Sequence, residues 1–435
     1  MTITRREFHA SLTASAFAAL LTSGCAINRV QQPSGRLVGY GPLVPDPAGL
    51  LDLPEGFAYR VISALGDSMD DGEPVPDQAD GMGAFRGDAG RVILVRNHEI
   101  VAGETSLGGI AYDRLNGGGA LRGGTTTLVY DPASGRVEAQ YRSLAGTIRN
   151  CAGGTTPWRT WLSCEEDVSN AGGTLGKSHG WVFEVPADLR GRANPVPLTG
   201  LGRFNHEAAA VDPRTGIVYL TEDREDGLFY RFIPRVRGRL TEGGQLQALA
   251  TVDGRDSSRN WTRVQFVPHE PAPVRWIDLD GVESPEDDLR KRGYIKGALL
   301  FARGEGIHMG DGELYFTCTS GGAAKLGQVM RYRPPVTGGG TIELFFESSS
   351  PDQFSYGDNL TVAPNGHLFV CEDQYGAVVD NYIRGITPLG AAYPFARLRI
   401  QTELAGACFS PDGRTLFVNA YSPTKTLAVT GRWGW

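Results

Sequence analysis

The sequence predicts an all-β fold, a β-propeller with six blades. Three observations support it: a hairpin motif recurs along the chain, glycine is abundant, and no segment shows the periodicity of a long amphipathic helix. Glycine supplies 59 of the 435 residues, whereas a chain of average composition would contain about 30. These glycines follow no collagen-like or low-complexity pattern, so they indicate turns between many short strands.

The recurring motif is an alternating apolar strand, a tight turn containing Pro or Asp with Gly, and a second apolar strand. Its clearest copies are residues 207–223, 305–320, 359–373 and 404–420. Two earlier copies, 82–99 and 150–167, bring the number to six. Such turns between apolar runs predict hairpins, and repeated sheets of about 50 residues predict propeller blades. Residues 240–296 are longer and more polar, with room for a seventh blade or an insertion.

The N-terminus predicts export. A twin arginine in residues 4–8 precedes an apolar run, 11–21, that is too short to span a bilayer. Residues 21–25 resemble a lipoprotein cleavage box in which Cys25 is lipidated. We therefore expect a Tat-type signal with a lipobox (1–25), a linker (26–50) and a single propeller domain (51–435). The expected location is the periplasm or the outer surface of the cell envelope, with a membrane tether through Cys25.

Charge and cysteine content exclude several classes of protein. The net charge of −7 argues against nucleic-acid binding, which favours a basic face. Apart from Cys25, five cysteines are scattered singly, so neither a disulfide framework nor a zinc ribbon is expected. We expect a monomer whose partner is a small-molecule substrate.

Acidic residues recur where each repeat enters the channel. The first strand of a blade lines the channel, and its entry residues here are Asn150-Cys151, His206-Glu207, Glu305, Asp358-Asn359 and Glu403. Carboxylates gathered in one ring raise one another's pKa unless cations neutralise them. Hard cations with oxygen ligands are the usual solution, so the repeat predicts metals in the central channel.

A second set of polar residues ends the second strands of the hairpins. Paired acids at such positions more often cap turns or make buried hydrogen bonds than bind metal. Glu165 or Glu166 is the best metal-ligand candidate among them, because the same hairpin carries Cys151. The set comprises Asn97-His98-Glu99, Cys164-Glu165-Glu166, Glu222-Asp223 and Glu372-Asp373.

One hairpin also carries a family resemblance. Residues 150–166, NCAGGTTPWRTWLSCEE, resemble a segment of the PhoX-type alkaline phosphatases, and further matches are 202–223, 226–232, 301–307 and 359–373. The resemblance covers roughly residues 50–425. It implies a six-bladed propeller that binds Fe³⁺ and Ca²⁺ and hydrolyses phosphate monoesters. The chain departs from the family at Gly304, where proline is common, at Arg159, where glycine is usual, and in its shorter length.

The resemblance implies roles for individual residues. Cys151 would be the thiolate ligand of iron, with Glu207 and Glu305 as carboxylate ligands. Arg303 would bind phosphate through its planar fork, and Asn150 would donate a hydrogen bond to a phosphate oxygen. Weaker assignments as metal ligands are Glu165 or Glu166, and Asp358 or Asp373.

Two other functions fit parts of the pattern. A calcium-dependent lactonase or esterase of the gluconolactonase type is also a six-bladed propeller with central acids, but it would need calcium alone and no thiolate. A non-catalytic envelope propeller would bind a partner and hold no metal. Metal analysis with a phosphatase assay separates the three.

Overall fold

Strands dominate the chain, as predicted. The computed structural model describes residues 38–435 apart from 102, 106, 107, 117, 336 and 337. The predicted export signal, lipobox and Cys25 lie outside the described residues. Val38–Trp435 form one compact unit. Among the described residues, no helix combines the length and apolar character needed to cross a membrane.

The strands and helices have the following bounds. The strands are β1 (Leu43–Val44), β2 (Leu51–Pro54), β3 (Phe57–Ala64), β4 (Ala79–Arg86), β5 (Val92–His98), β6 (Glu104–Thr105), β7 (Ala120–Leu121), β8 (Gly123–Asp131), β9 (Arg136–Thr147), β10 (Asn150–Thr155), β11 (Thr160–Glu165), β12 (Val182–Pro186), β13 (His206–Val211), β14 (Val218–Glu222), β15 (Phe229–Pro234), β16 (Gly244–Thr251), β17 (Ala272–Asp278), β18 (Gly304–Met309), β19 (Leu314–Cys318), β20 (Gln328–Arg333), β21 (Thr341–Glu347), β22 (Gly357–Val362), β23 (Leu368–Glu372), β24 (Tyr382–Ile386), β25 (Ala392–Leu398), β26 (Leu404–Phe409), β27 (Thr415–Ala420) and β28 (Lys425–Gly431). One α-helix, α1, spans Leu289–Ile295, and 3₁₀ turns span Asp88–Gly90, Thr199–Leu201 and Leu240–Glu242.

Six hairpin units surround a common channel. Their innermost strands are β4, β10, β13, β18, β22 and β26. Each innermost strand packs against that of the next unit, and β26 packs against β4, which closes the ring. A hydrophobic cluster fills each space between neighbouring units. The propeller-like arrangement is therefore confirmed.

The number of separate sheets differs from the predicted six blades. The third and fourth units share one nine-stranded sheet, because β17 pairs with both β16 and β21. The remaining units form four sheets of three to six strands, beside the two-stranded β6–β7 ribbon. The segment 240–296 supplies this bridging strand and α1 rather than a seventh sheet.

The N-terminal strands complete the last sheets of the ring. β3 pairs with β28 as the outermost strand of the sixth unit, and β2 pairs with β25 in the fifth. β1, within the segment expected to be a linker, pairs with β2. In the sixth unit, strands from the two ends of the described chain thus join one sheet, which closes the ring.

Candidate metal centre

Each innermost strand begins with the same irregularity. In β4, for example, Ala79 pairs with His98 and Met82 pairs with Arg96 of β5. The inner strand therefore advances three residues where its partner advances two. The other five inner strands carry the same β-bulge. A bulge inserts one residue and re-aims side chains, and bulges are frequent next to active sites. We call the residues that directly follow the first paired residue of each inner strand the channel ring: Asp80, Cys151, Glu207, Glu305, Asp358 and Ala405.

Small residues after the channel ring let the inner strands approach closely. A Cβ on Gly81 would lie 2.5 Å from the Cα of Ala152 in the next unit. A Cβ on Gly306 would lie 2.6 Å from the Cα of Asn359. The channel is therefore narrow at this level, which brings the acids of distant repeats together.

Two further rings surround the channel ring at its mouth. The mouth ring consists of the residues two positions before the channel ring: Gln78, Arg149, Asn205, Arg303, Tyr356 and Glu403. Each of their backbone oxygens accepts a hydrogen bond from the backbone N–H of one residue of a second ring. This rim ring consists, in the same order, of Glu99, Glu166, Asp223, Thr319, Asp373 and Tyr421. Gln78, Arg149, Arg303 and Tyr356 adopt left-handed conformations with φ between 44° and 56°. Such backbone costs non-glycine residues about 1 kcal/mol each and is typical of functional sites.

The paired acids at the strand ends divide into two kinds, because adjacent strand residues face opposite sides. Glu165, the first of its pair, is buried and accepts bonds from the N–H groups of Ile148, Gly180 and Trp181 and from His179 Nδ1. Glu222 and Glu372 occupy the equivalent position and also accept backbone N–H bonds. The second acids, by contrast, are the rim-ring residues and face the channel ring.

Three overlapping groups of side chains bring ligand atoms within 4.8 Å of one another. They are Asp80–Glu99–Cys151, Cys151–Glu166–Glu207 and Glu207–Glu305–Asp358. Consecutive groups share Cys151 and then Glu207, so the three form one continuous cluster. The described chain therefore offers one candidate metal-binding cluster of one thiol and six carboxyl groups.

Glu207 at the centre of this cluster is a buried carboxyl group without a partner. Its side chain is 0% exposed, and neither oxygen has a hydrogen-bond partner among the described residues. Buried polar groups in folded proteins are almost always hydrogen-bonded. Burial and the neighbouring Glu305 and Asp358 raise its pKa well above the usual range. A cation would supply the missing partner for both oxygens.

The whole cluster carries an excess of acid. The three rings contain nine carboxyl groups and two arginines, which would leave seven negative charges unmatched on full ionisation. Burial, followed by Asp373, raises the pKa of Asp358 to about 8. Burial, followed by Asp80 and Glu207, also raises the pKa of the Cys151 thiol. Bound cations reverse such shifts, since they favour ionised ligands.

The two arginines lie on different sides of the cluster. Arg149 Nη2 donates to Glu99 Oε1 at 2.7 Å and to Glu166 Oε2 at 2.6 Å. Arg303 donates through Nε and Nη2 to the two oxygens of Asp223, and its Nη2 also reaches Glu305 Oε1 at 2.8 Å. Burial alone would lower the pKa of Arg303, but Glu305 and Asp223 raise it, so the guanidinium is charged.

The guanidinium of Arg303 presents a different edge from the one predicted. Its planar Nε–Nη2 fork is already bidentate to Asp223, so the fork is not available to phosphate. The remaining edge is Nη1, which donates to the hydroxyl of Tyr375 at 2.8 Å. This edge is where a substrate oxygen can meet Arg303.

Several predicted site residues lie in the cluster and others do not. Cys151, Glu166, Glu207, Glu305 and Asp358 belong to the three groups.

In Glu165, by contrast, both carboxylate oxygens accept hydrogen bonds from backbone N–H groups or from His179. Glu166 is therefore the better metal-ligand candidate of the two. Asp373 takes a rim-ring position and is absent from the three groups, so Asp358 is the better ligand of that pair. Asn150 is fully buried, with Nδ2 donating to Ser163 and Oδ1 accepting from Thr147, so it does not face the mouth.

The sequence prediction does not include Asp80, and it names Glu99 only within the second set. It begins the first hairpin at Met82, two residues after Asp80. The signal was present, since Asp80-Gly81 matches Glu305-Gly306 as an acid followed by glycine at the start of an inner strand.

The opposite end of the channel is different in character. A cavity of about 640 Å³ lies there, lined mainly by small and apolar residues of the inner strands. Met82, Ala209, Ile307 and Leu360 are among them. The acids of the three rings are outside this lining, so the candidate metal ligands lie at the mouth and not around the cavity.

Fold and site together define a propeller-like protein whose acid-lined channel can hold cations. The sequence model of the family described as Alkaline phosphatase PhoX matches residues 38–131 and 116–424, most of the chain. The chain therefore belongs to the PhoX family of alkaline phosphatases, and it is an enzyme of that class. No curated protein sequence matches it.

Solved structures show similarity in fold. Pseudomonas fluorescens PhoX, solved in complex with vanadate, a transition state analogue, is 20% identical, with a TM-score of 0.68 over 91% of this chain and 98% of that chain. A gluconolactonase from Xanthomonas campestris, XC5397, is 13% identical, with a TM-score of 0.42 over 92% of this chain and 100% of that chain.

Proposed function

We propose that this alkaline phosphatase hydrolyses phosphate monoesters at the channel mouth with Ca²⁺ and Fe³⁺ as cofactors. The residues that would hold them are Asp80, Glu99, Cys151, Glu166, Glu207, Glu305 and Asp358. The observation that carries the proposal is Glu207, a fully buried carboxyl group with two unpartnered oxygens inside a cluster of acids. Such a group is costly to bury unless a cation is bound.

The donor set fits these two metals. Ca²⁺ prefers several oxygen ligands, mostly carboxylates, and the cluster supplies six carboxyl groups. Cys151 adds a single thiolate, which suits a transition metal better than calcium. When bound, the cations would supply charge neutralisation and Lewis acidity for the transferring phosphoryl group.

The protein's own residues would orient the substrate and the ligands. Arg149 bridges Glu99 and Glu166 and so fixes two acids of the cluster. Asp223 holds the Arg303 guanidinium through its fork, which leaves Nη1 directed to the mouth. A fixed positive charge at this edge would stabilise negative charge that develops on the phosphoryl oxygens.

Metal analysis and a phosphatase assay on the purified, exported protein test this proposal. We expect calcium and iron in the protein, hydrolysis of p-nitrophenyl phosphate, and loss of both activity and thermal stability after chelation, because bound ligands stabilise the native state. A protein that hydrolyses the ester but holds neither metal would contradict the metal assignment. A protein that holds metals but hydrolyses no ester would contradict the activity.

The lactonase alternative is less well supported. It needs calcium alone, whereas Cys151 belongs to two of the three ligand groups. Iron content and the absence of lactone hydrolysis would separate the two activities.

We further propose that the protein is a monomer in the periplasm or on the outer surface of the envelope, exported through the twin arginine and tethered at Cys25. Replacing Arg5 and Arg6 by lysine should retain the protein in the cytoplasm. The Cys25→Ala variant should be released from the membrane fraction. Sedimentation analysis of that soluble form tests the oligomeric state.

A further inference from the structure

The mouth of the channel has one aromatic side, formed by two tyrosines next to Arg303. Tyr375 is 57% exposed, and its hydroxyl accepts the Nη1 proton of Arg303 at 2.8 Å. Its ring meets that of Tyr356, a mouth-ring residue, edge-on at 5.6 Å between centroids. These two rings therefore border the only guanidinium edge that Arg303 leaves for a substrate.

The loop that carries Tyr375 is held in place. Gln374 N donates to Asn381 Oδ1 at 2.9 Å, and Gln374 Nε2 donates to the backbone oxygen of Asp380 at 3.1 Å. Asp380 N returns a bond to Gln374 Oε1. The same loop exposes Val378 at 81%. The loop therefore holds one aromatic ring and one aliphatic side chain in the open at the mouth.

The opposite side of the mouth carries the rim-ring residue Tyr421, which is half-buried and donates its hydroxyl proton to Glu99 Oε2 at 2.7 Å. Arg149 on this side donates hydrogen bonds to the side chains of Glu99 and Glu166 and to the backbone oxygen of Glu166. An ester whose phosphoryl group sits among the acids and Arg303 would thus meet the more exposed aromatic surface on the Tyr375 side.

We propose that Tyr375 and Tyr356 form the leaving-group subsite and give the enzyme a preference for aryl phosphate monoesters over small polar alkyl esters. This inference rests on the proposed phosphatase function. Aryl groups pack edge-on or offset against tyrosine rings with a favourable quadrupole interaction. The Tyr375 ring lies beside the guanidinium, with its centroid 5.4 Å from Arg303 Cζ, and so would border the aryl group of an ester held by Arg303. Both tyrosines are specificity-determining residues.

The test compares kcat/KM for phenyl phosphate and glycerol 1-phosphate in the metal-loaded full-length enzyme. In Tyr375→Ala the aryl-to-alkyl ratio should fall about threefold to tenfold relative to the unmodified enzyme, the range expected for one lost aromatic contact. In Tyr375→Phe, which keeps the ring, the ratio should stay within about twofold. Tyr294, an exposed tyrosine on α1, supplies the control Tyr294→Ala, which should change nothing. Metal content is measured for every variant, so that loss of the cluster is recognised.

An unchanged ratio in Tyr375→Ala with metals retained would overturn the subsite. If the unmodified enzyme hydrolyses neither ester, the proposed function has failed, and binding of phenylphosphonate and methylphosphonate still decides the inference. Tyr375→Ala should then weaken phenylphosphonate selectively. Equal weakening of both phosphonates would reject the aromatic role.

Discussion

Two buried glutamates, Glu165 and Glu207, differ in what surrounds them, although both are 0% exposed. Glu165 accepts three backbone N–H bonds and one bond from His179, so the protein itself satisfies it. Glu207 has no hydrogen-bond partner among the described residues. Burial of an acid therefore does not by itself identify a metal ligand. Of these two glutamates, Glu207 is the ligand candidate, because the described residues provide it with no donors.

The largest effect is expected at Glu207. Glu207→Gln removes a shared ligand of two of the three groups, so we expect loss of bound metal and a fall in turnover of at least about 10³-fold. The metal-free variant should unfold at the same urea concentration as the metal-free parent or a higher one, because a neutral amide replaces a buried acid without donors. Metal content and denaturation curves check both parts. Destabilisation of the metal-free form would show that Glu207 has a protein partner after all.

Iron should depend on Cys151 but not on Cys318. Both thiols are buried, but Cys151 is in the channel ring, whereas Cys318 ends β19 outside the three groups. Cys151→Ser should lose iron and the visible absorption of a thiolate–iron centre, with turnover lowered about 10²-fold or more. Cys318→Ser should keep both. Equal iron content in the two variants would refute the assignment.

Substitutions of Arg303 should lower turnover without changing the metal content. Arg303→Ala removes the charge at the mouth while the ligand groups remain, so we expect a loss of about 10²–10³-fold in kcat/KM. Arg303→Lys should recover little, because one ammonium cannot hold Asp223 bidentately and also reach the mouth. Asp223→Asn provides the matched test of that support and should lower kcat/KM less than Arg303→Ala. Full activity in Arg303→Ala would remove this residue from the mechanism.

Much of the fold follows from short-range signals. Tight glycine turns between apolar strands mark the hairpins, and their period marks the repeat, because turn chemistry and strand alternation are local properties. The shared nine-stranded sheet is not local. β17 joins two units by pairing at Ala272 and Pro273 with a strand about 70 residues away, and nothing in the motif encodes that pairing.

The sequence predicts the kind of site, a cluster of metal ligands in the channel, but not every residue of that cluster. Equivalent positions in repeats placed Cys151, Glu207 and Glu305 together without any alignment. Choosing Glu166 over Glu165 required the tertiary contacts, since the two face opposite sides and only the structure shows which side carries backbone N–H donors. The use of the Arg303 fork by Asp223, 80 residues earlier, is a tertiary contact that spacing does not reveal.

The smallest effect on activity is expected at Glu165. Its replacement should lower the stability of the metal-free protein and leave metal content unchanged, which is the reverse of the result expected for Glu207. In Glu165→Gln one side-chain oxygen becomes an NH₂ group, which must face N–H donors of either Ile148 and His179 or Gly180 and Trp181. Buried donors left without an acceptor, with a lost charge-assisted bond, cost about 2–4 kcal/mol. We expect urea denaturation of the metal-free variant to show this loss, while metal content and turnover of the folded enzyme stay within about twofold. If Glu165→Gln lost its metals and kept its stability, Glu165 would be a ligand and the distinction between the two glutamates would be wrong.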